Sequence, residues 1–154
     1  MPDALCPRRH PASPRHQPAR SATVSPPIIY FDGLCNLCDG FVRFILARDH
    51  RGRYRFAPLQ GETARIRLDN RFTGTELQTI VLEEPRRFRV RSDAALTILT
   101  GLGGVWSLAG LLRIIPRRIR DAFYDHLARK RFEWYGRRDA CRLPTVEEKQ
   151  RFLP

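Results

Sequence analysis

The segment Ile28–Gly40, IIYFDGLCNLCDG, determines how the rest of the chain is interpreted. Its first four residues are β-branched or aromatic, which is typical of a buried strand. Asp32 and Gly33 then break the strand, and from Cys35 to about Arg48 the apolar residues recur at helical spacing. The sequence therefore predicts a strand, then a turn that carries the first cysteine of a C-x-x-C pair, then a helix.

The two cysteines of this segment, Cys35 and Cys38, are the candidate reactive groups. Residues three apart on a helix share one face, within the Cα separation of about 4.4 to 6.8 Å that a disulfide tolerates. At the amino end of a helix, free amides and the macrodipole favour the thiolate and lower its pKa below about 8.5. We therefore expect Cys35 to be the nucleophile. Cys38, one turn further in, is expected to be the more buried, less acidic, resolving thiol.

Asp32 is the third candidate site residue, and two roles remain open for it. Its carboxylate could accept the proton that Cys38 must lose. Alternatively, it could hold backbone amides of the turn, since aspartate favours turn and cap positions for that reason. Asp39 is interpreted as a solvated acid in the first turn of the helix.

The remainder of the chain predicts a small sheet covered by helices. Strands are expected at 28–31, 54–57, 79–82 and 88–91, and helices at 35–48, 61–68, 93–100, 105–115 and from Pro116 to Gly136. The last two strands are expected to form a hairpin, and Ser92 is expected to cap the helix that follows them. This order is typical of an α/β, thioredoxin-like fold with about four strands and extra helices at the carboxyl end.

Two helical segments raise the question of what their apolar residues contact. Ala94–Leu112 has no charge over 19 residues, near the length of a bilayer span, but its glycines favour two short buried helices joined by a turn. The final helix is expected to bury one apolar stripe, formed by Ile119, Ala122, Phe123, Leu127 and Phe132.

Length and composition predict one domain in a chain of 154 residues. Residues 1–27 are rich in proline and arginine and are expected to be a disordered tail, residues 28–144 the domain, and 145–154 a carboxyl-terminal tail. Lys and Arg number 28 against 16 Asp and Glu, giving a net charge of +12. The arginines are scattered rather than clustered, so the sequence favours neither nucleic acid nor a membrane as partner.

Cysteine usage bears on both compartment and metal binding. Cys6, Cys35, Cys38 and Cys141 do not form the dense pattern of a disulfide-stapled secreted domain, so a reducing, cytoplasmic location is expected. Structural zinc requires four ligands, and here Cys141 with His126 or His50 would have to complete the set over long range. A non-catalytic zinc-binding or protein-interaction module is therefore the alternative function.

The run Tyr30–Cys38, YFDGLCNLC, resembles the signature of the DCC family of thiol-disulfide oxidoreductases, named for its Asp and two Cys. Three later segments are similar to the same family: Arg55–Gln60, Arg91–Leu96 and Tyr135–Pro144. The resemblance covers about residues 27–144. It implies a thioredoxin-like fold and a redox-active dithiol, and it assigns Asp32, Cys35 and Cys38 to the three named positions.

Two departures from thioredoxins limit what the resemblance implies. Thioredoxins carry a cis-proline before the strand that faces their thiols, whereas Leu77 and Gln78 precede Thr79 here. The residues between the cysteines, Asn36 and Leu37, also differ from thioredoxin dipeptides. The expected substrate is a disulfide-containing protein or a small thiol compound. No cofactor is expected, and the sequence does not identify an electron donor.

Overall fold

The computed structural model describes residues 25–68, 79–137 and 144–154. In chain order the elements are β1 (Ile28–Phe31), α1 (Asn36–Arg48), β2 (Arg55–Pro58), α2 (Glu62–Leu68), β3 (Val81–Glu84), β4 (Arg87–Val90), α3 (Arg91–Leu102), a 3₁₀ helix (Gly104–Ile114), α4 (Arg117–Tyr135) and a short 3₁₀ turn (Glu148–Gln150). The predictions for the tail at 1–27, for Cys6, for Leu77 and Gln78, and for Cys141 fall wholly or largely outside the described residues.

The four strands form one mixed sheet in the order β2-β1-β3-β4. β1 is parallel to β2 and antiparallel to β3, and β3 and β4 form the predicted hairpin. All four residues of β1 are buried, as expected for the strand that lies inside the sheet. The predicted α/β, thioredoxin-like class is confirmed.

Alternate residues of β1 face two separate cores, because successive side chains of a strand point to opposite faces of the sheet. Ile29 and Phe31 pack with residues of α1 and α3, including Val42, Ile45 and Ile98. Ile28 and Tyr30 pack with residues around α2, including Ala64 and Leu68. Only residues 32–35 join β1 to α1, so this turn is fixed between two buried elements.

The start of α3 differs from the prediction. The helix begins at Arg91, with Val90 as its N-cap, so Ser92 is not the cap. β4 passes into α3 without an intervening turn, and Arg91 takes a positive φ of 55° at the junction. The Ser92 hydroxyl lies inside the helix and donates a hydrogen bond to the Asp121 carboxylate of α4.

The expectation that the last two helical segments are buried is wrong. No residue of the 3₁₀ helix is buried, and Arg131 is the buried residue of α4. In the predicted stripe, Ile119 is 60% exposed and Phe123 72% exposed. The physical reason is that α1 and α3 already cover that face of the sheet, so the 3₁₀ helix and α4 pack mainly on α3 and leave an apolar side outward. Helical periodicity identifies an apolar face but not what covers it.

The end of the chain lies along β2. The Phe56 amide donates to the Arg151 carbonyl at 2.9 Å, and the Leu153 amide donates to the Phe56 carbonyl at 2.8 Å. The Phe152 ring packs edge-on against Phe31, with ring centroids 6.1 Å apart.

No helix among the described residues is both long and apolar enough to cross a lipid bilayer.

Candidate active site

The two thiols lie where β1 passes into α1. Cys35 is the N-cap of α1 and Cys38 is in its first turn. The two side chains share a hydrogen bond, and no disulfide joins them. The structure therefore brings together the two cysteines that the sequence predicts as a pair.

The expected order of burial is wrong. Cys35 is completely buried, with 0% of its surface exposed, whereas Cys38 is partly exposed. The cause is the end of α4 together with the residues after it, which lie across Cys35. Cys35 forms an antiparallel β-bridge with Arg137, and the Asn36 side-chain amide donates to the Tyr135 carbonyl at 2.7 Å. We call Tyr135–Arg137 the cover segment.

The pKa of Cys35 is lowered to about 6. The largest cause is the hydrogen bond from the Cys38 thiol, which stabilises the Cys35 thiolate. The backbone amides of Cys38 and Leu37, at the amino end of α1, and the positive charge of Arg131 add to it, while burial opposes it. The direction is the one that the helix position predicts, although the neighbouring thiol contributes more than the amides.

The pKa of Cys38 is raised. Its hydrogen bond to Cys35 is the largest cause, since the Cys38 proton is the one shared between the two sulfurs. Burial raises the pKa further, as does the negative charge of Asp32, and Arg131 acts against them. The two thiols are therefore chemically different: Cys35 is the thiolate near neutral pH, and Cys38 retains its proton.

The Asp32 carboxylate is buried and accepts three hydrogen bonds. Its Oδ1 accepts from the Leu34 amide at 3.0 Å and from the Gln60 side-chain amide at 2.9 Å. The Gln60 Oε1 in turn accepts from the Gly33 amide at 3.2 Å. Asp32 and Gln60 together hold the turn that leads to Cys35.

The third donor to Asp32 is Arg131 of α4, which the sequence analysis missed. Its Nη2 donates to Asp32 Oδ2 at 2.9 Å, and its Nη1 lies 3.9 Å from Cys38 Sγ as donor. The Arg131 residue is only 2% exposed. One signal was present in the sequence, because Arg131 lies four residues after Leu127 on the apolar stripe, where a charge needs a partner.

Tyr124 also lies near the thiols. It is on the same side of α4 as Arg131, two turns earlier, with Leu127 between them. Its hydroxyl accepts a hydrogen bond from the Ile80 amide at 3.1 Å, just before β3. The pKa of Tyr124 is raised, mainly by burial and in part by Cys38. No peptide bond among the described residues is cis.

No set of side chains that could bind zinc is present in the part of the chain that the structure describes. In residues 25–68, 79–137 and 144–154, no three His, Cys, Asp or Glu side chains are grouped to hold a metal ion. His126 lies beside the Trp134 ring, with centroids 6.3 Å apart, and His50 is exposed just beyond the end of α1. Cys141 is outside the described residues.

Comparison with known proteins shows the family to which the chain belongs. Residues 29–137 match the family described as DCC1-like thiol-disulfide oxidoreductase. The chain is 37% identical over 128 residues to "uncharacterized protein YuxK" of Bacillus subtilis (strain 168), covering 82% of this chain and 93% of that protein. It is 34% identical over 119 residues to a chloroplastic DCC family protein of Arabidopsis thaliana, covering 76% of this chain and 69% of that one.

No solved structure matches the chain significantly. The family match spans most of the chain and includes the Asp32–Cys35–Cys38 turn, which agrees with a general redox role. The chain belongs to the DCC1-like thiol-disulfide oxidoreductase family.

Proposed function

We propose that the protein catalyses thiol-disulfide exchange, with Cys35 as the attacking thiolate and Cys38 as the resolving thiol. The observation that carries the proposal is the hydrogen-bonded thiol pair at the amino end of α1, in which the pKa of Cys35 is lowered to about 6 and that of Cys38 is raised. A nucleophile must be ionised near neutral pH, and a resolving thiol must wait until the mixed disulfide has formed.

The exchange proceeds in two displacements. The Cys35 thiolate attacks one sulfur of a substrate disulfide, forming a mixed disulfide and releasing one substrate thiolate. Cys38 then loses its proton and attacks Cys35 Sγ, which releases the second substrate thiolate. The released thiolates take up protons, so the enzyme dithiol becomes a disulfide and the substrate disulfide becomes two thiols. A dithiol or small-thiol donor then reduces the enzyme, or the sequence runs in reverse.

In this mechanism Asp32 is a positioning carboxylate. Its three hydrogen bonds leave it occupied by the Leu34 amide, Gln60 and Arg131, which favours the turn-holding role over direct proton acceptance. Arg131 supplies a positive charge beside both sulfurs, and Asp32 fixes that charge in place. Formation of the Cys35 mixed disulfide removes the hydrogen bond that raises the Cys38 pKa, so resolution becomes easier at that moment.

Substrate must reach a buried sulfur, so the cover segment has to move. Its hold on α1 includes the bridge to Cys35 and the exposed hydrogen bond from Asn36. An extended substrate segment could take the place of Arg137 beside the Cys35 backbone, as peptides do when they add to a free strand edge. We therefore propose a disulfide-containing protein or peptide as the substrate class. Because the four cysteines do not form the dense pattern of a disulfide-stapled secreted domain, we propose a reducing location such as the cytoplasm.

The test is to trap the mixed disulfide and detect it by mass spectrometry. The parent protein for this test carries Cys6→Ser and Cys141→Ser, so that only the two site thiols remain. After incubation with oxidised glutathione, Cys38→Ser should retain one glutathione on Cys35, because the resolving step is missing. Cys35→Ser should retain far less, and the parent should form an intramolecular disulfide without an adduct.

Equal adducts on the two single variants would contradict the assigned roles. Metal analysis of the protein purified without chelator runs alongside. Stoichiometric zinc together with unreactive thiols would replace the redox proposal with the zinc-binding alternative.

A further inference from the structure

The 3₁₀ helix Gly104–Ile114 presents a straight apolar edge to solvent. A 3₁₀ helix has 3.0 residues per turn, so residues three apart lie directly above one another. Four large apolar residues occupy that spacing and are exposed by 71%, 61%, 62% and 82%: Val105, Leu108, Leu111 and Ile114. We call these four residues the apolar ridge. Runs of 3₁₀ helix this long are uncommon, and this one extends about 20 Å along the surface.

The opposite side of the 3₁₀ helix holds it in place. The Trp106 ring stands edge-on against Phe44 with centroids 4.6 Å apart, and the Arg48 guanidinium lies 5.2 Å from its centroid. A side chain at Gly110 would meet the Thr100 methyl of α3 at 3.4 Å, so the helix backbone lies close to α3. The ridge therefore points outward from an anchored element.

Further apolar surface continues from the ridge onto α4. Leu112 and Ile115, at the end of the 3₁₀ helix, line a groove of about 460 Å³ together with Ile119 and Phe123 of α4. Their exposed fractions are 50%, 39%, 60% and 72% in that order. An exposed apolar area of this extent marks an interaction surface rather than ordinary scattered side chains.

The charge around this surface is predominantly positive. From Ala94 to Arg120 the sequence contains no acid, and it contains four arginines: Arg113, Arg117, Arg118 and Arg120. Of these, Arg117 forms an ion pair within the described residues, with Asp121 at 3.3 Å. The whole chain carries a net charge of +12. The surface thus combines protruding apolar side chains with neighbouring arginines of α4, whereas Arg113 is turned toward α3, where it donates to Thr97 at 2.9 Å.

We propose that the apolar ridge docks on the surface of an anionic lipid bilayer. Apolar side chains with flanking arginines match the boundary between acyl chains and charged headgroups, where such elements lie about 5 to 10 Å deep without crossing. A second copy of the chain fits less well, because a two-fold contact places the same patch against itself and brings like charges together. The proposal departs from the sequence-based expectation about membranes, because the sequence did not disclose that these residues are exposed. It is independent of the thiol chemistry.

The test measures binding of the full chain to sedimenting vesicles of phosphatidylcholine, with and without phosphatidylglycerol. Wild type should bind the anionic vesicles and bind less as salt rises. Leu111→Asp should weaken binding about ten-fold or more, since a leucine that inserts into the bilayer is replaced by a charge. Val146→Asp is the matched control, because Val146 is 81% exposed and lies outside the patch. It should bind as wild type does.

A second pair of variants tests the arginines. Arg118→Gln should weaken binding about five-fold, whereas Arg86→Gln, on the exposed turn between β3 and β4, should have a smaller effect. Circular dichroism and Cys35 alkylation confirm that each variant remains folded.

Three results would overturn the proposal. The first is no binding of wild type to anionic vesicles. The second is binding that Leu111→Asp leaves intact, which would assign it to other basic segments. The third is a concentration-dependent dimer that Leu111→Asp abolishes, which would assign the ridge to a second copy.

Discussion

The two ends of α1 are held by the same device. Asp32 precedes the amino end and Asp49 is the C-cap at the carboxyl end, and both are buried. Asp32 accepts a hydrogen bond from the Leu34 amide, and Asp49 accepts from the amides of Arg53 and Tyr54. Each carboxylate also forms an ion pair with an arginine far along the chain. Asp32 pairs with Arg131 of α4, and Asp49 pairs with Arg151 near the carboxyl terminus.

The difference lies in what each arginine touches besides its acid. Arg131 also lies within 3.9 Å of Cys38 Sγ, whereas Arg151 donates to the Tyr54 carbonyl at 3.3 Å. A buried Asp–Arg pair thus holds the turn at each end of α1. Such a pair acts on the pKa of a thiol only at the amino end, where the arginine also lies beside Cys38.

The segments that cover the two ends differ as well. At the carboxyl end, residues 151–153 bond to both the backbone amide and the backbone carbonyl of Phe56, in the manner of an added strand. At the amino end, within the described residues, the cover segment contacts the start of α1 through the Cys35–Arg137 bridge and an exposed side-chain hydrogen bond. The segment at the carboxyl end extends the sheet, whereas the cover segment lies over Cys35.

The largest expected effect comes from removing the acids. Asp32→Ala should lower the free energy of unfolding by about 3 to 5 kcal/mol, because it breaks a buried ion pair with Arg131, whose side chain is only 3% exposed. Asp49→Ala should cost less, about 1 to 3 kcal/mol, since the Arg151 side chain is 18% exposed and can reach water. Urea denaturation of the reduced proteins measures both, and equal losses would break the comparison.

Replacing each arginine by methionine distinguishes the electrostatic effect on Cys35 from the effect on folding stability. Arg131→Met should raise the pKa of Cys35 from about 6 by on the order of one unit, because a stabilising positive charge is lost beside the thiolate. Arg151→Met should leave that pKa unchanged. The rate of Cys35 alkylation between pH 4 and about pH 9, followed by mass spectrometry, gives both midpoints.

The sign of the pH dependence follows from the same shift. The folded pKa of Cys35, about 6, lies below that of an unfolded thiol, about 8.5. The contribution of Cys35 to the stability of the reduced fold therefore grows as the pH rises from about 6 to about 8.5, and it is lost as the pH falls through about 6. Cys35→Ser should lack this component, so a wild-type profile that superimposes on that of Cys35→Ser would argue against a lowered pKa.

The smallest effect concerns the cover segments. Asn36→Ala removes the 2.7 Å hydrogen bond to the Tyr135 carbonyl and should speed alkylation of Cys35 roughly two- to ten-fold, the range expected for one hydrogen bond. Arg55→Ala is the matched control at the other end of α1, since it removes a 2.6 Å bond to the Gln150 carbonyl. If both variants speed alkylation equally, the exposure arises from general loosening and not from the cover.

Local features of the site could be predicted well. Asp32, Cys35 and Cys38 lie within seven residues, and the strand, turn and helix that present them follow from short-range sequence patterns. The end of α4 at Gly136, which takes a φ of 75°, could be read in the same way because glycine adopts this conformation without steric cost.

Long-range features of the site could not be predicted from the sequence. Arg131 lies 99 residues from Asp32, and nothing local indicates that α4 brings its side chain to the turn. The order of burial of the two thiols was misjudged because the cover segment is equally remote in sequence. The division of the chain into a tail, a domain and a second tail stays a prediction.

Sequence patterns were sufficient to predict the sheet-and-helix plan, the position of Cys35 at a helix terminus and the family of the chain, because each depends on residues that are neighbours along the backbone. Tertiary packing was needed to show which thiol is buried, which arginine lies beside the sulfurs and which apolar residues remain in solvent. Those properties depend on what packs against a given face, and a periodic pattern contains no information about its partner.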